Sequence, residues 1–290
     1  MPRYARRSSY GGSGRSGRSG CLGKGRLLIA LVIAVVSIVS YLSTREYNPV
    51  TDEVQYVDLS PEQEVALGLQ AAPQLAQQHG GLYPDEQVRR FVTQVGERIV
   101  ARSDASNTPY EFDFHLLADE QTLNAFALPG GQIFVTAAMM NALETEGELA
   151  GVLAHEIGHV VARHGAEHMA KQKLTQGLTG AAVIAAYDPN NPRGTQASAA
   201  VAAMIGQLVN MRYGRSDEIE SDVLGVRFTA DAGYDPRSMI RVMEVLRDAG
   251  GGNRPVEFFS THPNPDNRIA RIQQAIEETF PNGVPDGLKP

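Results

Sequence analysis

Residues 155–159, read His-Glu-Ile-Gly-His, combine the side-chain types and the spacing that metal chemistry requires. On an α-helix, residues four apart differ by about 40° in direction and about 6 Å in rise, so His155 and His159 point towards one locus. Neutral imidazoles at such a locus suit a borderline-soft ion such as Zn²⁺. Glu156 is turned by about 100° from His155. It therefore stands beside the ion, where a base can take a proton from water held there.

The residues around this motif predict a helix that is walled by apolar packing. A catalytic zinc site needs three protein ligands and an open position, so a third ligand must come from elsewhere in the chain. The apolar neighbours of the motif are Val152, Leu153, Ile157, Val160 and Val161.

Three sources of the third ligand can be compared by their spacing. A metzincin-type histidine would occupy position 165, which is glycine here, and His164 is turned by about 140° from His159. A thermolysin-like glutamate would fall in a Gly- and Ala-rich section that contains none. The third source is Glu218, which has Asp222 four residues later on a second predicted helix. Glu218 can coordinate the metal while Asp222 accepts the other N–H of a ligating histidine, although such carboxylate pairs also occur on ordinary helix surfaces.

The elements that must position these residues predict an α+β domain that is mostly helical. Apolar residues in 88–99 recur with helical spacing, and residues 111–117 alternate as in a strand. A Pro-Gly-Gly turn at 129–131 precedes a short strand-like run, Gln132–Thr136. A long helical pattern covers residues 137–173 and includes the histidine motif.

Beyond that helix, a section rich in Gly and Ala is interrupted by residues 188–192. Its apolar pieces, 178–186 and 199–205, are too short to span a bilayer. Helices are predicted to restart near Ser216, after Asp235-Pro236 and near Asp266.

The N-terminal part divides into three segments before the domain at residues 61–290. Residues 1–26 form a basic tail rich in Gly, Ser and Arg, which we expect to be disordered. Residues 27–42 are uncharged and apolar, as in a transmembrane signal anchor or in the core of a cleaved signal peptide. No Ala-x-Ala site follows, which favours the anchor. Residues 43–60 are predicted to be a linker.

The charge pattern predicts an extracytoplasmic domain and excludes one class of partner. The basic flank of the apolar segment stays in the cytoplasm, so the domain lies across the membrane, on the periplasmic side in a bacterium. If the segment is cleaved, the domain is secreted to the periplasm. The whole chain has a net charge of −7 although its first 26 residues contain no acid, so nucleic-acid binding by the acidic domain is not expected. Cys21 is the only cysteine, and an intramolecular disulfide is therefore impossible.

Three further segments carry a resemblance to a known family. They are NAFALPGGQIFVTAAMM from Asn124, EIESD from Glu218 and STHPNPDNRI from Ser260. Together with the histidine motif, they make the chain similar to the HtpX and CAAX prenyl-protease family of zinc metallopeptidases, over about residues 64–280. Within that family, the short middle section resembles the periplasmic BepA and LoiP branch rather than the polytopic prenyl proteases. The resemblance implies a zincin-like domain with a small sheet beside the histidine helix.

The resemblance also implies roles for four residues. Glu218 corresponds to the third ligand of a single Zn²⁺ per chain, and Asp222 corresponds to the residue that supports a ligating histidine. His262 and Arg268 correspond to residues that line the cleft. His262 is implied either to stabilise the oxyanion or to cap the open position of the metal. The chain ends at Pro290 without the tetratricopeptide repeat domain of BepA, so roles that depend on that domain are not expected.

These observations predict a zinc-dependent endopeptidase that acts in protein quality control on unfolded or misassembled envelope proteins. Its partners would be extended protein segments and the membrane. The strand after the Pro-Gly-Gly turn is predicted to be an edge that pairs with substrate backbone. The alternative is a latent or inactive, membrane-tethered, metal-binding module with chaperone-like function, in which His262 caps the metal permanently. The residues predicted to contact substrate are Gly131, Gln132, Ile133, Phe134 and Val135.

Overall fold

The computed structural model describes residues 19–186, 213–250, 258–262 and 267–290. Helices dominate these ranges and the strands form two small sheets, which confirms the predicted α+β class. The helices are α1 (Ser19–Ser43), α2 (Pro61–Gln78), α3 (Glu86–Arg102), α4 (Ala137–Ala142), α5 (Glu146–Val161), α6 (His164–Ala186), α7 (Arg215–Asp231), α8 (Ser238–Gly250), α9 (Phe258–Thr261) and α10 (Arg268–Thr279), and the strands are β1 (Arg45–Asn48), β2 (Glu53–Tyr56), β3 (Asp113–Leu117), β4 (Ala125–Leu128) and β5 (Gln132–Thr136).

Some predictions concern residues outside the described ranges. They are the tail up to residue 18, the interruption at 188–192 and the apolar piece at 199–205. The three predicted helix restarts are confirmed, because α7 begins at Arg215, α8 follows Asp235-Pro236 and α10 begins at Arg268, close to Asp266.

Helix α5 lies at the centre of the domain. Thr145 caps its N-terminus by accepting a hydrogen bond from the backbone N–H of Glu148. Its residues from Gly147 to Val161 are all buried, so other parts of the protein pack around every side of this helix. Helix α7 packs along it. A Cβ atom at Gly158 would lie 3.2 Å from the Cα atom of Ser221, so the glycine permits this close crossing.

The long helix predicted over residues 137–173 is instead three helices. Leu143 ends α4 in an extended conformation, and Thr145 then starts α5. Arg163 separates α5 from α6 with a φ of 57°, which lies in the left-handed region. The single-helix prediction was wrong because apolar spacing continues through both breaks, whereas the breaks depend on capping and on contacts of Arg163 with distant residues.

Strand β5 has the predicted bounds, but it is not an edge strand. The order of the three-stranded sheet is β3-β5-β4, with β3 parallel and β4 antiparallel to β5. Both rows of backbone hydrogen-bonding groups on β5 are therefore used inside the sheet. The prediction that Gly131, Gln132, Ile133, Phe134 and Val135 pair with substrate backbone was wrong for this reason, and β4 is the edge strand on that side.

The turn between β4 and β5 requires glycine. Gly130 and Gly131 have φ values of 83° and 104°, which residues other than glycine rarely adopt. A Cβ atom at Gly130 would also lie 2.4 Å from the Cα atom of Val65 in α2. The turn therefore packs directly against the backbone of α2.

Residues 45–56, which lie within the predicted linker at 43–60, form an ordered hairpin. Strands β1 and β2 pair in antiparallel fashion. Asn48 donates a 2.8 Å hydrogen bond to the carbonyl of Val161, and the amide of Gln55 donates to the carbonyl of Ala162. Because the last carbonyls of a helix have no partner within the helix, the hairpin caps the C-terminal end of α5. Composition alone did not reveal this long-range capping.

A buried ion pair holds the same end of α5. Arg163 donates hydrogen bonds to the carboxylate of Glu64 in α2, to Glu46 in β1 and to the carbonyl of Leu59. Arg163 and Glu64 are both buried. Arg163 thus joins the C-terminal end of α5 to the hairpin and to α2.

The Glu64→Ala substitution should lower the free energy of unfolding by about 3–5 kcal/mol, because it removes the buried carboxylate that compensates the buried charge of Arg163. The measurement is chemical denaturation of the full chain in detergent. The control is Glu86→Ala, which removes an exposed ion pair to Arg90 and should cost less than about 1 kcal/mol. Equal losses in the two variants would contradict a structural role for the buried pair.

Helix α1 contains a stretch, Lys24–Ser43, that is long and apolar enough to cross a membrane by length and composition. Helix α1 (Ser19–Ser43) thus extends beyond the predicted apolar segment at residues 27–42, and residues 19–26, which were predicted to belong to a disordered tail, are helical. Its large apolar side chains are mostly exposed, and one side of the helix packs along α6.

Candidate metal centre

Two helices and the short segment after α9 bring four metal-binding side chains together. They are His155 and His159 from α5, Glu218 from α7, and His262. One ligand atom from each lies within 4.8 Å of all the others, and all four side chains are buried. The Nε2 atoms of His155 and His159 are 3.1 Å apart, and the Glu218 carboxylate oxygens lie 3.6 and 3.4 Å from them.

The arrangement of these atoms fits a divalent metal ion. Among the described residues, His262 Nε2 is buried without a hydrogen-bond partner, and Glu218 Oε2 makes no hydrogen bond besides its 3.0 Å ion-pair contact with Arg268. Such atoms are costly in a protein interior unless a further partner satisfies them. The donors are imidazole nitrogens and one carboxylate, which is a common set for catalytic Zn²⁺. His155, His159 and Glu218 could therefore hold an ion, and His262 reaches the same point.

Glu156 lies beside the cluster as the sequence predicted. Its side chain is fully buried, and neither of its carboxylate oxygens has a hydrogen-bond partner within the described ranges. His262 Nε2 is 3.6 Å from Glu156 Oε1. Burial raises the pKa of Glu156, which makes it a stronger base than an ordinary carboxylate. A buried carboxylate without a structural partner is typical of a group that transfers protons.

Asp222 and Arg268 support the cluster from behind. An oxygen of Asp222 lies 3.0 Å from His155 Nδ1, so His155 can hold its proton there and direct Nε2 towards the ion. Arg268 donates hydrogen bonds of 2.8 and 2.6 Å to Asp222, and its third nitrogen lies 3.0 Å from Glu218. All three side chains are buried. One cation thus compensates two carboxylates inside the protein.

Burial and hydrogen bonding shift the pKa values of the ligands in different directions. Burial acts to raise the pKa of Glu218, but hydrogen bonds with His155, His159 and His262 hold it well below its usual range. Burial lowers the pKa of His159, so its ring is neutral as metal binding requires. Burial would also lower the pKa of His155, but hydrogen bonds to Asp222 and Glu218 raise it to about 9.

Comparison of the sequence with models of known protein families identifies the family to which this domain belongs. The family model described as peptidase family M48 matches residues 86–276, which include every member of the cluster.

The chain belongs to peptidase family M48.

This membership confirms the family resemblance found in the sequence, and M48 peptidases are metal-dependent.

Three curated relatives show how far the similarity extends. The beta-barrel assembly-enhancing protease of Escherichia coli K12 is 31% identical over 211 residues, which cover 69% of this chain and 41% of that protein. Its counterpart in Yersinia pestis is 32% identical over 232 residues, covering 77% of this chain and 46% of that protein. The mitochondrial metalloendopeptidase OMA1 of Schizosaccharomyces pombe is 30% identical over 258 residues, covering 83% and 69%. The chain spans about two fifths of the length of the first of these relatives.

In this M48 domain, His159 has a supporting partner that the sequence analysis missed. His159 Nδ1 lies 2.9 Å from His164 Nδ1, and His164 Nε2 lies 3.1 Å from Glu220. With Nε2 of His159 facing the metal, its Nδ1–H donates to His164, which in turn donates to Glu220. Spacing excluded His164 as a ligand, but the same residue is well placed to orient one.

Tyr213 is the second residue that sequence reasoning missed. Its ring stacks on His159 with centroids 4.2 Å apart and planes 23° from parallel. Burial raises the pKa of the Tyr213 hydroxyl, so it stays protonated. Tyr213 is a single aromatic residue at the end of a section rich in Gly and Ala, and no motif identified it.

The structure thus brings the predicted polar site residues into one cluster and leaves the predicted substrate strand outside it. Gln132 to Val135 are buried in the central strand of the sheet, and Gly131 is buried in the turn before that strand. The clustered residues are His155, Glu156, His159, Glu218, Asp222, His262 and Arg268.

The Asp222→Asn substitution should weaken metal binding by about 10–100-fold, because the amide cannot orient His155 as the carboxylate does. The measurement is competition of the protein with a chelator of known affinity for Zn²⁺. Asp231→Asn, on the last turn of the same helix, is the matched control and should leave the affinity unchanged. Unaltered affinity in Asp222→Asn would contradict the supporting role of the carboxylate.

Proposed function

We propose that this chain is a zinc-dependent endopeptidase that hydrolyses peptide bonds of extended or unfolded proteins. The observation that carries the proposal is the buried carboxylate of Glu156, which has no hydrogen-bond partner among the described residues and lies beside the His155, His159 and Glu218 cluster. A metal site that serves only structure needs no adjacent base and usually has four protein ligands. The relatives are also named as proteases.

In this mechanism, His155, His159 and Glu218 hold the ion, and Asp222 and His164 keep the two imidazoles in the correct orientation. A bound Zn²⁺ would acidify a water molecule and polarise the scissile carbonyl. Glu156 accepts the proton of the attacking water and then delivers it to the leaving amine. Its raised pKa suits both roles, because the carboxyl can hold the proton between the two steps.

Strand β4 replaces β5 as the proposed substrate edge. Its free side carries no strand among the described residues. The loop end of β4 lines the same small cavity as His159 and Tyr213, so this edge leads to the metal centre. An extended segment pairing there would be recognised mainly through its backbone. Such recognition favours unfolded or misassembled proteins over folded ones.

The proposed location is a membrane tether with the peptidase domain outside the cytoplasm. Helix α1 has the length and composition of a membrane span. The segment before Leu27 is basic and lacks acidic residues, so it favours the cytoplasmic side. In a bacterium this arrangement places the domain in the periplasm, where envelope proteins pass in unfolded form. The name of the beta-barrel assembly-enhancing relatives supports envelope quality control as the role.

His262 is proposed to close the site in a resting state. Its Nδ1 is 3.0 Å from Glu218 and it stacks on Phe258 with ring centroids 4.4 Å apart. The imidazole lies among the metal-binding atoms of the cluster, where it would obstruct an incoming carbonyl. The metal site is also buried, so the His262 segment must move before a substrate can enter.

The first test measures cleavage of an unfolded protein by the zinc-loaded full chain in detergent. Glu156→Gln should bind one zinc per chain with unchanged affinity and should lose at least about 100-fold in cleavage rate, because a general base contributes that much. Chelation should abolish cleavage, and added zinc should restore it. Retention of full activity in Glu156→Gln would overturn the proposal.

The second test separates a gated enzyme from the latent, chaperone-like module. Removing the imidazole in His262→Ala should open the metal site, so we expect cleavage to increase while zinc still binds. If neither the wild type nor His262→Ala cleaves any unfolded protein although each binds zinc, the binding module is the better account. A decrease in cleavage with intact zinc binding would instead assign His262 to oxyanion stabilisation.

A further inference from the structure

The N-terminal helix and the helix after the metal motif pair with each other in antiparallel orientation. A cavity between them is lined by Ser40 and Thr44 near the end of α1 and by Lys173 near the middle of α6. Farther from the domain, a Cβ atom at Gly177 would lie 2.2 Å from the Ser37 hydroxyl. The two helices are therefore in close contact through small residues, which is the packing common between helices in membranes.

Helix α1 has an apolar surface whose exposure to water is energetically unfavourable. Leu28, Leu31 and Val36 are each about 60% exposed, and other large apolar residues around the helix are similarly exposed. Only a small part of the candidate span is covered by the rest of the protein. A lipid bilayer is the environment that satisfies such a helix, as the proposed membrane tether assumes.

The distal half of α6 has a matching composition. Lys173 is its last charged residue, and residues 174–186 contain none. The exposed positions of this half are apolar or small, with Gln176 as the main polar exception. Because it lies directly against α1, this half must share the surroundings of α1.

We propose that residues 174–186 of α6 are embedded in the bilayer beside α1, so that the anchor is a pair of helices. This inference rests on the proposed membrane position of α1. Thirteen helical residues extend about 20 Å at 1.5 Å per residue, less than the roughly 30 Å of the hydrocarbon core. The segment therefore enters the membrane without crossing it within the described residues. Residues 178–186 are too short to span a bilayer, as the sequence predicted, but a segment of this length can still be embedded in one.

The embedded helix places the metal centre close to the membrane surface. His164, which contacts His159, lies nine residues before Lys173 on the same helix. This spacing corresponds to about 14 Å along the helix axis. An extended substrate that reaches the metal centre would accordingly be a protein segment at or near the bilayer surface, such as a segment next to a membrane anchor.

Site-specific labelling in membranes tests the helix pair. Single cysteines are placed in a Cys21→Ser background at Leu178, at Met169 and at Val35, and are treated with a charged maleimide in open membrane fragments. Met169 and Leu178 are both 38% exposed on α6, so they differ mainly in their proposed depth. Each variant must first bind one zinc per chain, and Ala182→Cys serves as a second reporter with a smaller change.

We expect Met169→Cys to label at least about tenfold faster than Leu178→Cys, Ala182→Cys and Val35→Cys, because hydrocarbon excludes charged reagents. Denaturation in detergent should remove the difference. If Val35→Cys is protected but Leu178→Cys and Ala182→Cys label as fast as Met169→Cys, the embedded helix is wrong while the α1 tether stands. If Val35→Cys also labels fast, both the tether and the embedded helix are wrong.

Discussion

The close crossing of α5 and α7 is the constraint on which the metal centre depends. Gly158 brings the backbone of α5 against Ser221 in α7, with no side chain to hold the helices apart. At this distance, the face of α5 that carries His155 and His159 meets the face of α7 that carries Glu218. A larger residue at position 158 would separate the ligands while leaving each helix intact. The metal site is thus a property of the helix pair rather than of the histidine motif alone.

Burying these ligands creates an electrostatic cost that the surrounding residues offset. Glu218 and Asp222 are both inside the protein, and Arg268 lies between them as a fixed positive charge. The fully buried Glu156 has no such partner among the described residues. The domain therefore stabilises the carboxylates that hold and orient the ion, and leaves one carboxylate with a raised pKa for proton transfer.

Local patterns in the sequence predicted most of the site, and long-range contacts explain what they did not predict. A metal-binding helix can be predicted from the sequence alone, because His155 and His159 have helical spacing and apolar residues surround them. The position of β5 in the sheet depends on β4 folding back through Gly130 and Gly131, which strand propensity does not report. The break at Arg163 depends on Glu64 and Glu46, which lie far away in sequence. His164 and Tyr213 gain their importance only from their contacts with His159.

The most direct test of this account is X-ray absorption spectroscopy of the zinc-loaded full chain, together with the zinc content per chain. We expect one zinc per chain with imidazole nitrogen and carboxylate oxygen ligands, and the loss of one nitrogen ligand in His262→Ala, because that imidazole caps the ion at rest. Glu218→Ala should reduce the zinc content strongly. Stoichiometric zinc with the same coordination in Glu218→Ala would show that the metal lies elsewhere, and would contradict the central claim.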